Sequence, residues 1–409
     1  MKHSSTVTRF LPLFENPLFA SISAFVIYLV LATANGSPFR VTDTAYFNYL
    51  ADGFLHGQLH LRLLPASLHD LSFFNEKYYL YWPPMPAIVL MPLVSIFGVS
   101  FSDVFFTILV ASVNVGVVAL LLRAANDETL IESDEVTRAL LVLFFAFGTV
   151  QITLAPMGQI WFTSQQVSFL FVGLAYLVAL RWNGGRAFFL TGLLLACASL
   201  TRNHLLFTGI WPLWHLLKKS WNPRPRPSIS LVLFALPLLL LGLSFLAYNF
   251  IRFGNPLESG IQYHQMHELY VEDFQKYGTF NIHYLPINFF YEYIRYPFPF
   301  TKESLRGGSL FLLSPVYFFL FPGLVFRYRS VDTWVLLLSV LATSIPILLF
   351  MGTGWMQFGP RYSFDFTVPL LLLTARGLRF ASKRILALLI LIAFVQYFIG
   401  TLILMYILR

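Results

Sequence analysis

Long apolar segments alternate with short polar connections along most of the chain. Because a bilayer core about 30 Å thick requires roughly 20 apolar residues in a helix, segments of this length predict membrane spans. The pattern therefore predicts an all-α polytopic membrane protein with about 11 transmembrane helices. The predicted spans lie near residues 17–34, 102–122, 137–155, 163–181, 186–201, 203–217, 231–251, 309–326, 332–350, 362–376 and 385–408.

Two long stretches interrupt the series of spans, and we name them outer loop one (35–101) and outer loop two (252–307). Connections longer than about 15 residues are usually functional in a compact domain, so candidate chemistry is expected here. Outer loop one contains an apolar segment, 83–97, that would be only about 22 Å long as a helix. Prolines crowd its start, and length alone does not decide whether it crosses the membrane.

The distribution of basic residues predicts the orientation of the chain. If 83–97 does not cross, the basic connections all lie on the same side as Lys2 and Arg9 near the N-terminus. The positive-inside rule favours that arrangement. We therefore predict a cytoplasmic N-terminus, an outside C-terminus, and a helix at 83–97 that lies in or dips into the outer interface. The basic connections hold Arg123, Arg181, Arg186, Lys218, Lys219, Arg224, Arg226, Arg327, Arg329, Arg376, Arg379, Lys383 and Arg384.

The first predicted span has an alternative explanation. The small residues Ala32, Thr33 and Ala34 match a signal-peptide cleavage site. The apolar region before them is longer than a typical signal core, which favours an uncleaved anchor.

Composition supports the membrane assignment and excludes other classes of protein. The chain of 409 residues is 57% hydrophobic and 11% charged, whereas soluble domains carry about a quarter charged residues. Its 44 Phe, 20 Tyr and 8 Trp exclude a disordered chain. The net charge of +8 is explained by basic cytoplasmic loops, so no nucleic-acid partner is predicted. The single cysteine, Cys197, excludes a disulfide framework and a thiolate metal cluster.

Outer loop one begins with an acid, Asp43, followed by an apolar helical face from Tyr46 to Phe54 that ends at Gly57. This helix is expected to lie flat on the membrane, with Asp43 in its first turn. An acid at the level of the lipid headgroups is costly unless it has a role or a partner. The alternative is that Asp43, which follows Thr42, only caps the helix.

Two arginines, Arg202 and Arg361, lie near the outer ends of predicted spans. They are exceptions to the positive-inside rule, which places basic residues on the cytoplasmic side. The guanidinium fork suits a phosphate group, so an anionic partner at the outer headgroup level is plausible. The alternative is an ion pair within the protein, for example with Asp365, four residues after Arg361. Nearby, Tyr81 and Trp82 belong to an aromatic cluster that, taken alone, indicates an interfacial anchor.

Outer loop two carries polar residues and a dense aromatic run, among them Tyr263, His264, Glu268 and Asp273. Aromatic faces stack on sugar rings, but such runs more often pack at the interface. The sequence has no HExxH, CxxC, Walker or nucleophile-elbow motif.

The order of these features resembles the GT-C superfamily of membrane glycosyltransferases, which includes protein O-mannosyltransferases and lipid A aminoarabinose transferases. The shared features are one span, an outer loop with an early Asp, interfacial helices and a Tyr-x-Pro-Pro-like segment at 81–84. Leu200-Thr201-Arg202 is similar to the Leu-Thr-Arg/Lys that follows the fifth span in many members. Arg361-Tyr362 is similar to the Arg-Tyr that opens a late span.

The resemblance implies one GT-C-like transmembrane domain over 1–409 and a catalytic role for Asp43. Many members carry a second acid between spans three and four, but 154–161 contains no carboxylate. This departure weakens the case for a metal site formed by two carboxylates. No metal ligand and no cofactor are therefore assigned, although a divalent metal remains open. The residues expected to bind substrate are Arg361, Arg202, Tyr362, Tyr46, His204, Tyr81 and Trp82.

The implied reaction moves a sugar from a polyprenyl-phosphate carrier in the membrane lipid to a hydroxyl acceptor, a glycan, lipid or protein, at the extracytoplasmic face of a bacterial cytoplasmic membrane. Asp43 would be the base, with inversion at the anomeric carbon. Arg361 and Arg202 would stabilise the leaving phosphate.

The alternatives are a transporter or flippase of lipids or lipid-linked sugars, and a lipid-linked glycan ligase or polymerase. A transporter is disfavoured because almost no ionisable residue lies in mid-span and no internal repeat is visible.

Overall fold

Helices account for nearly every apolar segment of the chain. The computed structural model describes residues 10–220, 227–352 and 354–408. Four basic residues that were used to predict the orientation lie outside these ranges: Lys2, Arg9, Arg224 and Arg226. The α-helices are α1 (Pro17–Ala32), α2 (Tyr46–Leu55), α3 (Met85–Phe97), α4 (Asp103–Asp127), α5 (Glu135–Phe147), α6 (Gln151–Leu154), α7 (Gln159–Arg181), α8 (Gly184–Ser199), α9 (Ile210–Ser220), α10 (Pro227–Phe253), α11 (Glu268–Tyr277), α12 (Leu285–Phe289), α13 (Leu310–Leu313), α14 (Leu320–Phe326), α15 (Val331–Leu348), α16 (Thr367–Gly377) and α17 (Lys383–Ile407).

The predicted all-α polytopic membrane fold is confirmed. Within the described part of the chain, six helices are long and apolar enough to cross a bilayer. Shorter apolar helices lie at Met85–Phe97, Gly184–Ser199 and Pro315–Phe326, and the count of eleven spans stays a prediction. The six long segments are Pro17–Asn35, Asp103–Asp127, Gln159–Arg181, Ser228–Phe253, Val331–Leu348 and Lys383–Ile407.

Several predicted spans are broken rather than continuous helices. The segment predicted at 137–155 divides into α5 and α6, which are separated at Gly148. The segment predicted at 309–326 divides at Pro315, which has no N–H to continue the ladder. The segments predicted at 203–217 and 362–376 open with 3₁₀ turns, Asn203–Gly209 and Arg361–Phe366. Both of these turns carry residues of the candidate site.

The bundle interior is held by close packing and by hydrogen bonds between buried polar side chains. Helix α4 packs against α1 and α7, and α8 packs against α7 and α10. Gln166 donates a 2.7 Å hydrogen bond to Gln151, and Asn114 donates one of 2.9 Å to Gln166, which joins α4, α6 and α7. Interhelical hydrogen bonds of this kind hold membrane bundles together. A Cβ at Gly377 would collide with the Phe319 carbonyl oxygen, so α16 and its neighbour approach backbone to backbone.

Outer loop one forms a small layer with its own apolar core. Helices α2 and α3 pack against each other, and a hairpin of β1 (Ser72–Phe74) and β2 (Lys77–Tyr79) pairs antiparallel with Phe73 opposite Tyr78. The buried core includes Phe47 and Leu90 and reaches α7. This layer presents the residues of outer loop one to the ends of α7 and α8.

The start of α2 differs from the sequence prediction. The helix begins at Tyr46, so Asp43 precedes it in a turn and does not occupy its first turn. The N-cap position is Ala45, and no side chain bonds to the first turn. The capping alternative for Asp43 is therefore wrong. The predicted end is confirmed: His56 closes the helix, and Gly57 adopts φ +68°, which favours glycine.

The apolar segment predicted at 83–97 is the 13-residue helix α3, which contains Pro92 and ends at Gly98. At about 1.5 Å per residue it is about 20 Å long, shorter than the roughly 30 Å bilayer core. It packs along α2, an arrangement expected of an interfacial helix. The membrane side on which it lies stays a prediction.

Cysteine labelling tests the predicted orientation. Asp127→Cys and Glu268→Cys are introduced separately after replacement of the single cysteine in Cys197→Ala. Both positions are exposed, at the end of α4 and the start of α11. In intact cells a membrane-impermeant maleimide should label Glu268→Cys, and it should label Asp127→Cys only after permeabilisation. Labelling of Asp127→Cys in intact cells would contradict the topology.

Candidate active site

Arg202, His204 and Asp365 form a buried ion-pair group between two 3₁₀ turns. Nε of Arg202 lies 2.9 Å from Oδ2 of Asp365, and Nε2 of His204 lies 2.8 Å from the same oxygen. The Asp365 side chain has no exposed surface, and that of Arg202 is 6% exposed. The alternative of an ion pair within the protein is therefore confirmed for Arg202, whereas the pairing of Asp365 with Arg361 is wrong. Residues 361–366 form a 3₁₀ helix with three residues per turn, so positions four apart do not share a face.

Arg361 is buried among neutral partners. Its Nε donates a 2.7 Å hydrogen bond to Oε1 of Gln357, and its Nη2 lies 3.2 Å from the Tyr362 hydroxyl. Gln165 donates a 2.8 Å bond to the Arg361 carbonyl oxygen, which fixes the backbone against α7. Among the described residues, no carboxylate lies within 4.0 Å of the Arg361 guanidinium. The side chain is nevertheless buried, with 6% of the residue exposed.

Aromatic rings surround both guanidinium groups. The Arg202 guanidinium carbon lies 5.8 Å from the Trp82 ring centroid and 5.3 Å from that of Tyr362. Tyr362 is also 4.9 Å from the Arg361 guanidinium carbon, so its ring lies beside both cations. Cation–π contacts stabilise a guanidinium without neutralising its charge. A hydrogen bond of 2.9 Å from the Met85 N–H to the Leu200 carbonyl ties outer loop one to the turn that carries Arg202.

A second buried acid, Asp70, lies next to this group. His264 Nε2 lies 2.8 Å from its Oδ1, and Trp161 Nε1 donates a 3.0 Å bond to its Oδ2. Asp70 has φ +63°, a conformation in which Asp is tolerated better than most residues. The Tyr81 ring packs at a tilt against that of His264, with 4.6 Å between the ring centroids. Burial raises the pKa of Tyr81 well above its usual value, and the charges of Asp70 and Tyr362 add to the increase.

Tyr46 and Asp43 lie at the outer edge of the Asp70 group. The Tyr46 hydroxyl donates a hydrogen bond to the carbonyl oxygen of His69. Burial raises the pKa of Tyr46 to about 12, and the nearby charges of Asp70 and Asp43 add to the increase. Asp43 is exposed, and its carbonyl oxygen accepts a 3.3 Å bond from Ser67.

The structure brings most of the expected substrate-binding residues together. One group contains Arg202, His204, Arg361, Tyr362 and Trp82, and Tyr81 joins it to the Asp70 group that includes Tyr46. The structure places Asp43 near Tyr46, not in direct contact with the arginines. The catalytic role of Asp43 and the binding roles of the other residues stay predictions.

Several residues of the site were not identified from sequence. Asp70, Gln357 and Glu292 are each less than 10% exposed and lie beside the expected site residues. The Asp103 carboxylate bonds the Thr42 N–H at 2.9 Å. No short motif marks these positions. The only local signal was the presence of acids within loops otherwise rich in aromatic residues.

The part of the chain that the structure describes contains no candidate metal site. Within residues 10–220, 227–352 and 354–408, no three His, Cys, Asp or Glu side chains converge in a way that could hold a metal ion. A requirement for a divalent metal therefore stays untested.

Comparisons with known proteins concern the fold. No protein-family model matches the sequence, and no curated protein sequence matches it. Among solved structures, the chain is similar to ArnT from Cupriavidus metallidurans bound to undecaprenyl phosphate, with 13% identity, 89% of this chain and 60% of that chain covered, and a TM-score of 0.49. It is also similar to the Archaeoglobus fulgidus oligosaccharyltransferase in the apo form, with 12% identity, 94% and 55% coverage and a TM-score of 0.50.

The chain spans little more than half the length of these two structures. At 12% identity the likeness to the oligosaccharyltransferase concerns architecture and not substrate. The protein is a polytopic helical membrane protein whose fold is similar to that of this oligosaccharyltransferase.

Proposed function

We propose that this protein transfers a sugar from a polyprenyl-phosphate carrier to an acceptor hydroxyl at the extracytoplasmic face of the membrane. The observation that supports this most strongly is the buried Arg361 guanidinium, which has only neutral partners among the described residues. Burying an unpaired charge is costly. A bound anion would remove that cost, and the guanidinium fork fits a phosphate.

In this proposal Arg202 contributes mainly a hydrogen-bond donor, whereas Arg361 contributes an uncompensated positive charge. The charge of Arg202 is already balanced by Asp365, so it adds less net attraction than Arg361. Its Nη1 is buried and has no hydrogen-bond partner within the described ranges. This donor is therefore available to a second phosphate oxygen. Tyr362, whose ring lies beside both guanidinium groups, would fix the distance between them.

The chemistry requires one base. Phosphate leaves readily, so the reaction does not need the pair of carboxylates found in glycosidases. In the proposed step, the acceptor oxygen forms a bond to the anomeric carbon as the bond to the phosphate oxygen breaks, and configuration is inverted. The acceptor proton passes to the exposed Asp43 carboxylate. Arg361 stabilises the charge that develops on the phosphate.

Binding of the carrier tests the phosphate part of this proposal. The purified protein in nanodiscs is titrated with undecaprenyl phosphate and, as the control, with undecaprenol, which has the same tail and no phosphate. Charge-assisted hydrogen bonds contribute about 1.5–3 kcal/mol each, so the phosphate should bind about 10- to 100-fold more tightly. Equal affinity for the two lipids would remove the proposed carrier site.

A further inference from the structure

Glu292 is a buried acid of outer loop two that the proposed reaction does not use. It lies in a π-helical turn, Phe290–Ile294, and is only 5% exposed. The segment is firmly anchored, because Asn288 donates hydrogen bonds of 2.9 and 2.8 Å to the carbonyl oxygens of Leu348 and Phe350 at the end of α15. The position of the Glu292 carboxyl group is therefore set by the fold.

The Glu292 carboxyl group lies beside the proposed phosphate site. The charges of Arg361 and Asp365 both act on it, and the backbone N–H groups of Tyr362 and Ser363 approach it. Its Oε1 is fully buried and has no hydrogen-bond partner among the residues that the structure describes. One polar atom of the group therefore lacks a partner next to the arginine proposed to hold the phosphate.

The environment of Glu292 favours the protonated acid. Burial raises the pKa of Glu292 to about 8, although the positive charge of Arg361 opposes the shift. At neutral pH the group is therefore mostly a neutral carboxylic acid with an O–H donor. A buried donor without an acceptor is unfavourable. A phosphate oxygen held by Arg361 would supply the missing acceptor.

We propose that Glu292 binds the carrier phosphate as a protonated acid and donates a hydrogen bond to it. This inference rests on the proposed function and adds a further residue to its site. No proton is transferred in the step, because a phosphate monoester takes up its second proton near pH 6, below the pH at which Glu292 loses its own. The donor stabilises the extra negative charge that the phosphate gains when the sugar leaves. Carboxylic acids kept neutral in apolar sites serve other enzymes in this way.

The proposal predicts that carrier binding weakens in alkali. At pH 9, one unit above the pKa of Glu292, about a tenth of the protein retains the proton. The apparent affinity for polyprenyl phosphate should therefore fall about tenfold between pH 7 and pH 9. The charge of the phosphate hardly changes in this window, because its second ionisation lies near pH 6.

Other groups that face Glu292 do not explain such a change. Arginine keeps its charge throughout this window, and burial raises the pKa of Tyr293 further above it. Glu292→Gln, which has no titrating carboxyl group, separates the contribution of Glu292 from that of every other group. The titratable and charged groups near Glu292 are Arg361, Tyr362, Asp365, Arg202, His204, Tyr293 and Tyr397.

The test measures undecaprenyl phosphate binding in nanodiscs at pH 7 and pH 9 for the natural protein, Glu292→Gln, Glu292→Ala and Glu272→Gln. Glutamine keeps an uncharged donor, so Glu292→Gln should bind within about threefold of the natural protein at pH 7 and should lose the pH dependence. Glu292→Ala should bind about tenfold more weakly at pH 7. Glu272, an exposed acid of the same loop, serves as the control, and Glu272→Gln should keep the natural pH dependence.

The outcomes separate this inference from the proposed function. If the natural protein binds the carrier equally well at pH 7 and pH 9, or if Glu292→Gln keeps the full alkaline loss, Glu292 is not the donor. Those results leave the carrier site itself in place. If the natural protein binds undecaprenyl phosphate no better than undecaprenol at either pH, both the inference and the proposed carrier site are rejected. Gel filtration of each variant confirms that it remains folded.

Discussion

Replacing Asp43 with asparagine is expected to reduce sugar transfer about 10²- to 10⁴-fold, the usual effect of removing a positioned base. Asparagine has nearly the same shape and cannot accept the proton. The variant should fold normally, because Asp43 is exposed and caps no helix. Initial transfer rates and binding of undecaprenyl phosphate are measured together, and binding should change less than about threefold.

The control for this experiment is another exposed acid of outer loop one. Glu76 lies in the turn between β1 and β2, and Glu76→Gln should leave the transfer rate unchanged. If Asp43→Asn keeps more than a tenth of the activity, Asp43 is not the base. The next candidate would then be Asp70, the buried acid of the same loop that His264 and Trp161 contact.

Substitutions of Arg361 should show the second large effect. Arg361→Ala is expected to weaken undecaprenyl phosphate binding about 10- to 100-fold, the range for the loss of one charge-assisted hydrogen bond. Arg361→Lys should also be damaging, because one ammonium cannot reproduce a planar fork. Titrations of the purified variants with the carrier, in the absence of any acceptor, measure both effects.

Two further variants serve as controls for the Arg361 series. Arg181→Ala removes a half-exposed arginine that pairs with Asp127 at 2.8 Å, and it should not change carrier affinity. Asp365→Asn should not reproduce Arg361→Ala, because Asp365 pairs with Arg202. Unchanged affinity in Arg361→Ala would remove the phosphate role from Arg361 and leave Arg202 as the remaining candidate.

The positions of the apolar helices could be predicted because they depend on local composition. The last span was predicted at 385–408 and is observed at Lys383–Ile407, and the turn at Gly57 was anticipated from glycine chemistry. Breaks within spans were missed, as at Pro315. A window of hydropathy measures apolarity, and an apolar segment can be broken by 3₁₀ turns without becoming polar.

The pairing of charges in the site could not be predicted from spacing. Asp365 was considered as the partner of Arg361 because they are four residues apart, a neighbour relation that holds only in an α-helix. The structure instead joins Asp365 to Arg202 and His204, more than 160 positions earlier in the chain. Glu292 was missed for the same reason. The protonation state of Glu292 depends on burial by segments distant in the chain, and no local sequence motif indicates it.

The account is tested most directly by following the sugar–phosphate bond. Proteoliposomes containing the purified protein receive radiolabelled polyprenyl-phosphate sugars extracted from the source cells, together with a detergent extract of their membranes as acceptor. We predict that the label moves to an acid-stable glycoside, that one polyprenyl phosphate is released for each sugar, and that Asp43→Asn abolishes both. Label that remains on the carrier and only changes leaflet would show a transporter and contradict the account.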